Sequence, residues 1–137
     1  MITYKTEKEL PCDELHHLFY RVGWSDKEIS NEMLSYFNLP FINSTLVVSA
    51  WDEERLIGCV RALSDKIFRS IVYDFAVLPE YQHQGIGKEL LRRLMEPYPD
   101  SEWLVETEIA AGFYQKQGFH MVDQEKNIFL VKPSKWF

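Results

Sequence analysis

Apolar and polar positions change period several times along this chain, and each change marks an element. The opening ITYKTE alternates as a short strand does. Residues 12–21 and 26–38 space their apolar side chains three and four apart, which predicts two helices parted near Gly23, the second capped by Asp26. STLVVSAWD, RLIGCVRALSD and RSIVYDFAVL then predict three strands, the first two joined at a polar Asp-Glu-Glu turn. On the third of these, Ile71, Tyr73, Phe75 and Val77 alternate with Val72, Asp74 and Ala76, so the two sets are expected on opposite faces. Helical spacing returns at Ile86, Leu90, Leu91, Leu94 and Met95, one face of a helix that ends before Pro97. WLVE predicts a fifth strand, residues 109–117 a short helix ended by Gly118, and NIFLVK a last strand. The order is mixed α/β, with the later helices set between strands of one sheet, and residues 1–137 are expected to form a single domain.

Composition narrows the classes of function. A hydrophobic fraction of 46% with 15% aromatics belongs to a folded globule. No run of 18 apolar residues occurs and the first ten residues carry no hydrophobic stretch, so the expectation is a cytoplasmic protein that makes no use of a membrane. Cys12 and Cys59 lack the spacing of a zinc site or a disulfide framework and read as small buried hydrophobes. His16 and His17 are adjacent, about 100° apart on a helix, and so chelate poorly; no metal is expected. The net charge is −6, with five basic and ten acidic side chains in the first 60 residues. Without a basic stripe, nucleic acid is not an expected partner, whereas a cationic small molecule suits the acidic first half.

One stretch concentrates the chemistry: VLPEYQHQGIGKELLRRLM, in which a polar segment with two glycines runs directly into a helix. A helix N-terminus has N–H groups without intrahelical partners and about half a positive charge, so it suits an anion, and glycines let that anion approach. Two common phosphate loops fail. Gly85 and Gly87 are too close together for a P-loop, and Lys88 is followed by Glu89 rather than Ser or Thr. A dinucleotide fingerprint would need a small residue where Leu90 stands.

The segment resembles instead the signature of the Gcn5-related N-acetyltransferase family: Gln or Arg, two residues, Gly, one residue, then Gly or Ala. Here it reads Gln82, His83, Gln84, Gly85, Ile86, Gly87. DFAVLPEYQ is similar to the family's fourth strand and its lead into the loop, and AAGFYQKQGF to its second signature, a helix with an aromatic-Tyr pair before Gly-Phe. RVGWSD, LIGCVRALSD and VYDFAVLP look like the arylalkylamine acetyltransferase subgroup. The resemblance covers essentially the whole chain. It implies a mixed sheet of about six or seven strands, the fourth and fifth splayed apart, flanked by about four helices. It implies acetyl-CoA as cosubstrate, with its pyrophosphate on the backbone from Gln82 to Lys88 and its pantetheine arm along Phe75 and Val77. Tyr114 falls where the family holds its general acid. Where some relatives carry an acidic or histidine base, this chain has Ile71 and Tyr73, which leaves Asp74 and Glu106, each acting through water. At Thr107 many relatives carry an asparagine that contacts the coenzyme.

The reaction so implied is acetyl transfer to the primary amine of a small molecule by direct attack in a ternary complex. Two alternatives stand beside it: an idle acyl-CoA sensor, and a protein-lysine or N-terminal acetyltransferase. Trp24, Tyr36, Phe37 and Phe41 serve equally as an acceptor pocket or as core. Whether the last strand and the KPSKWF tail form a homodimer is open at this stage.

Overall fold

A computed structural model describes residues 1–136, which fall into two compact units, Met1–Glu106 and the residues from Thr107 onward. The first unit is built on a five-stranded sheet in the order β1-β2-β3-β4-β5. Its strands are β1 (Ile2–Lys5), β2 (Leu46–Asp52), β3 (Arg55–Ser64), β4 (Arg69–Val77) and β5 (Glu102–Leu104). Neighbours are antiparallel except β4 and β5, which run parallel because helix α4 (Ile86–Met95) carries the chain from one to the other. The sheet is therefore mixed, as expected, but among the described residues it has five strands rather than six or seven. Residues 127–132, expected as the last strand, form none.

Helix α4 packs on one face of the sheet and buries Ile86, Leu90, Leu91 and Leu94. The contact is tight at Gly58, where a Cβ would lie 3.2 Å from both Leu90 Cδ1 and the Ala76 carbonyl oxygen, so that these neighbours would have to give by a few tenths of an ångström. The other face is covered by α1 (Cys12–Arg21), which buries Leu15 and Leu18, and by the short helix α3 (Leu39–Ile42), which buries Phe41. The expected helix over 26–38 is shorter and later. Helix α2 spans Asn31–Ser35, its first turn capped by Ser30 Oγ, which accepts from Met33 N–H at 3.1 Å, and Asp26 is not the cap. The chain starts afresh at α3, whose first turn contains Pro40. In the second unit α5 (Ala111–Lys116) is followed by Gly118 in the left-handed region at φ 98°.

The strict alternation expected on β4 fails at one position. Arg61 pairs with Tyr73 but Cys59 pairs with Ala76, so β4 holds one residue more than β3 across this interval. Asp74 takes up the excess in a bulge with φ 50°. Ile71 and Tyr73 consequently share a face with Ala76 rather than with Val77, which lies on the α4 face with Val72.

Candidate active site

The sheet opens between β4 and β5. Among the described residues, only Arg69, Ser70 and Ile71 pair with β5, through Glu102, Trp103 and Leu104. From Val72 to Val77, β4 runs on beside β3, so Phe75 and Val77 lie on a stretch that β5 does not cover. An extended amide-bearing arm can lie along such a stretch.

The chain leaves β4 through a single 3-10 turn, Pro79–Tyr81, and is held there from three sides. Glu80 bridges Arg21 of α1, at 2.9 Å, and Arg55 of β3, at 3.0 Å. Tyr81 donates its hydroxyl hydrogen to Asp52 of β2 at 2.5 Å, which holds the Asp52 carboxyl below its usual range and raises the Tyr81 phenol. Leu78 is wholly buried. Gln82 then turns its amide back onto the Val77 carbonyl at 2.9 Å. His83 and Gly85 both sit in the left-handed region, at φ 63° and 84°, and Gly85 is the residue preceding α4. The outcome is a run of backbone donors. Among the described residues, the next N–H after Gln82 to find a hydrogen-bond partner is that of Glu89, bonded to the Gly85 carbonyl at 3.1 Å; those from His83 to Lys88 have none. Six consecutive free N–H groups at the positive end of a ten-residue helix form a cradle for an anion such as a pyrophosphate. Within that helix Glu89 accepts from Arg92 and Arg93, which hold its carboxyl at about 2.

Asp74 belongs to the α1 and α3 face. Its Oδ2 accepts from Arg61 Nε at 2.6 Å, and Arg61 Nη1 reaches Ser44 Oγ at 3.3 Å. The same guanidinium lies over the rings of Phe41 and Tyr73, 5.8 and 5.1 Å from their centroids. Cys59 is fully buried below, its Sγ 3.4 Å from the Asp74 carbonyl; burial first, and then the charge of Asp74, push its thiol far up, so it stays protonated. Of the aromatics singled out from the sequence, Phe41 is core. Phe37 packs edge-on against Phe19 and His16, while Trp24 and Tyr36 are each 46% exposed. Phe19 joins the cluster and also meets Trp24 edge-on at 5.2 Å. Arg61 and Glu80 were not singled out from the sequence. The hairpin spacing of β3 and β4 could have pointed to Arg61, whereas the partners of Glu80 lie 25 and 59 residues away in the chain.

Glu106 ends the first unit, exposed and, among the described residues, without a hydrogen bond. In the second unit Thr107 Oγ1 accepts from Ala110 N–H at 3.0 Å, at the entrance to α5. Tyr114 is buried, with Phe113 and Phe119 edge-on at 5.3 and 5.5 Å, and Phe119 N–H bonds to its carbonyl. The Gly-Phe of the second signature is thus what turns the chain back and sets a ring against Tyr114. Burial pushes the Tyr114 phenol up to about 12.

Residues 43–121 match the acetyltransferase (GNAT) domain family. A solved structure, the GNAT family protein SP0256 from Streptococcus pneumoniae, is similar with a TM-score of 0.79 and 27% identity, over 98% of this chain and 99% of that one. A ycf52-like uncharacterized N-acetyltransferase of Prochlorococcus marinus is 33% identical over 82% of this chain, and the chloroplastic GCN5-related N-acetyltransferase 2 of Arabidopsis thaliana 38% identical over 86%. The chain spans 64% and 53% of the length of these two relatives. With a match over more than half its residues, an opened mixed sheet and the glycine loop before α4, this chain belongs to the Gcn5-related N-acetyltransferase family.

Proposed function

We propose that this chain moves an acetyl group from acetyl-CoA to the primary amine of a small molecule with an apolar or aromatic body. The observation that carries the reading is the row of free N–H groups from His83 to Lys88 beside the uncovered length of β4. A pyrophosphate suits the first and the amides of a pantetheine arm suit the second, with Phe75 and Val77 as backbone partners. Gln82, His83, Gln84, Gly85, Ile86, Gly87 and Lys88 serve chiefly through their backbone. Transfer needs the amine in its neutral form, which at pH 7 is only about one part in a thousand of a primary amine, a handicap of roughly 4 kcal/mol. The nitrogen attacks the thioester carbonyl carbon, a C–N bond forms, the C–S bond breaks, the amine gives up a proton and the departing thiolate takes one. We assign the second proton to Tyr114, whose buried phenol stays protonated at neutral pH. Of the two carboxylates, Glu106 is the freer to accept the first through water, because the oxygen of Asp74 is engaged by Arg61.

The acceptor reading rests on the acidic first 60 residues and on the exposed faces of Trp24, Tyr36 and Tyr73. Rings there add apolar burial worth about 1 to 3 kcal/mol for an aromatic amine. Thiol release with a panel of amines tests it: phenethylamine and tryptamine types should be turned over faster than amino sugars. Turnover confined to amino sugars or to peptides would refute the acceptor class, and coenzyme binding with no turnover of any amine would make the chain a sensor.

A further inference from the structure

A row of backbone N–H groups has no side chain with which to correct its aim, so the chain leading out of β4 decides where the row from His83 to Lys88 lies. Backbone bonding does little of that work. Among the described residues, the N–H groups from Glu80 to Lys88 make two bonds to backbone, Tyr81 to the Leu78 carbonyl at 2.9 Å and Gln82 to the Pro79 carbonyl at 3.3 Å. Side chains supply the rest.

Asp52 and Arg55 face each other across the mouth of the β2–β3 hairpin. Their charges are opposite, yet among the described residues they form no ion pair with one another. Each reaches instead to one of two successive residues of the turn after β4. Arg55 Nη2 donates to Glu80 at 3.0 Å, and Asp52 Oδ2 accepts from the Tyr81 hydroxyl at 2.5 Å. The Arg55 guanidinium also lies over the Tyr81 ring, 6.0 Å from its centroid. The two grips differ in kind. Glu80 is held by attraction between partly exposed charges, which salt screens. The bond from phenol to carboxylate is short and directional, and a tyrosine carries its hydroxyl on a stiff ring with few torsions, so Tyr81 is fixed in angle as well as in place. Gln82 follows at once, and His83 opens the row of free N–H groups.

We propose that Asp52, acting through the Tyr81 hydroxyl, is a positioning residue for the coenzyme: the β2–β3 hairpin aims the N–H groups that receive the anion. The inference rests on the reading of that row as the coenzyme site. Its physical effect is pre-organisation, since a loop already held in its bound geometry gives up less freedom when the ligand arrives.

Calorimetry of coenzyme A with the full chain tests this, alongside thermal unfolding without ligand. Tyr81→Phe removes the hydroxyl and keeps the ring, and Asp52→Ala removes the acceptor. Each should weaken coenzyme A binding by about fivefold or more, and the double variant by no more than the weaker-binding single, because both substitutions remove one bond. Asp52→Asn still offers an oxygen to the phenol and should bind within about twofold of the parent. A merely structural bond would lower the unfolding midpoint and leave the affinity of the folded chain alone. Single variants within about twofold of the parent, losses that add in the double variant, or an Asp52→Asn as weak as Asp52→Ala would each overturn the inference while the coenzyme reading stands. A parent that binds no coenzyme A would overturn both. Either single variant decides the outcome if the other fails to fold.

Discussion

Gly85 is the position where conformation and charge can be separated. Its φ of 84° is left-handed, yet a Cβ built there meets nothing within 4 Å, so the obstacle to a side chain is backbone strain rather than collision. Strain of this type costs about 1 to 2 kcal/mol for most residues and less for Asn or Asp, which also cap helices well. Gly85→Asn and Gly85→Asp should therefore fold, each within about 1 kcal/mol of the parent. They differ from one another by a single charge, set against the N–H groups of His83 to Lys88. If a pyrophosphate occupies that cradle, the aspartate faces it at a few ångströms. A unit charge pair at 4 Å interacts by about 1 kcal/mol in water and about 4 kcal/mol near a protein surface, so Asp should bind coenzyme A about 5- to 700-fold more weakly than Asn. Calorimetry with both variants measures the ratio, thermal unfolding controls for the fold, and the gap should narrow as salt is raised. A ratio within about threefold at low salt, in two folded variants, would refute the placement of the anion on this loop.

Tyr114→Phe should lower kcat by tens-fold or more, as loss of a general acid does, while the KM for acetyl-CoA stays nearly constant; a kcat within about twofold of the parent would make Tyr114 a packing residue. The same phenol predicts a pH effect. Held at about 12 in the fold against about 10 in the unfolded chain, it keeps its proton where the unfolded chain has lost it, so stability falls as pH rises from 10 to 12, by at most about 2.7 kcal/mol. Urea unfolding at pH 9 and pH 11 measures this, and an equal loss in Tyr114→Phe would assign it elsewhere. Glu80→Gln releases Arg21 and Arg55 from the turn before the loop. Because exposed ion pairs add little to stability, the unfolding midpoint should hardly move while coenzyme affinity falls several-fold; unchanged affinity would show that the brace does not position the cradle.

Strands β2, β3 and β4 and helix α4 were legible because their signals are local: a period of two or 3.6, bounded by Asp, Gly and Pro. The loop was legible for the same reason, since its glycines adjoin the helix they serve. Features that failed are those in which local signals tie or in which the partner is remote. Asp26 and Ser30 are both good caps, and the sequence does not rank them. NIFLVK reads as a strand, but periodicity names a face and never a neighbour, and among the described residues 127–132 form no strand. The bulge left no glycine to announce it, because aspartate is among the residues that tolerate positive φ.

That bulge matters most for the site. On a regular β4, position 74 would follow Val72 onto the face packed by α4, where Leu90 and Val77 crowd Gly58. A carboxylate there would be buried without a partner, at a cost of several kcal/mol or more. The extra residue breaks the alternation, so that Asp74 reaches Arg61, whose guanidinium already lies over Phe41 and Tyr73. One inserted residue thus turns what would be a core defect into a fixed ion pair on the face opposite α4. It does so within the length of β4 that the three-residue β5 leaves uncovered, so the polar group of that face and the opening of the sheet fall at the same level of the strand.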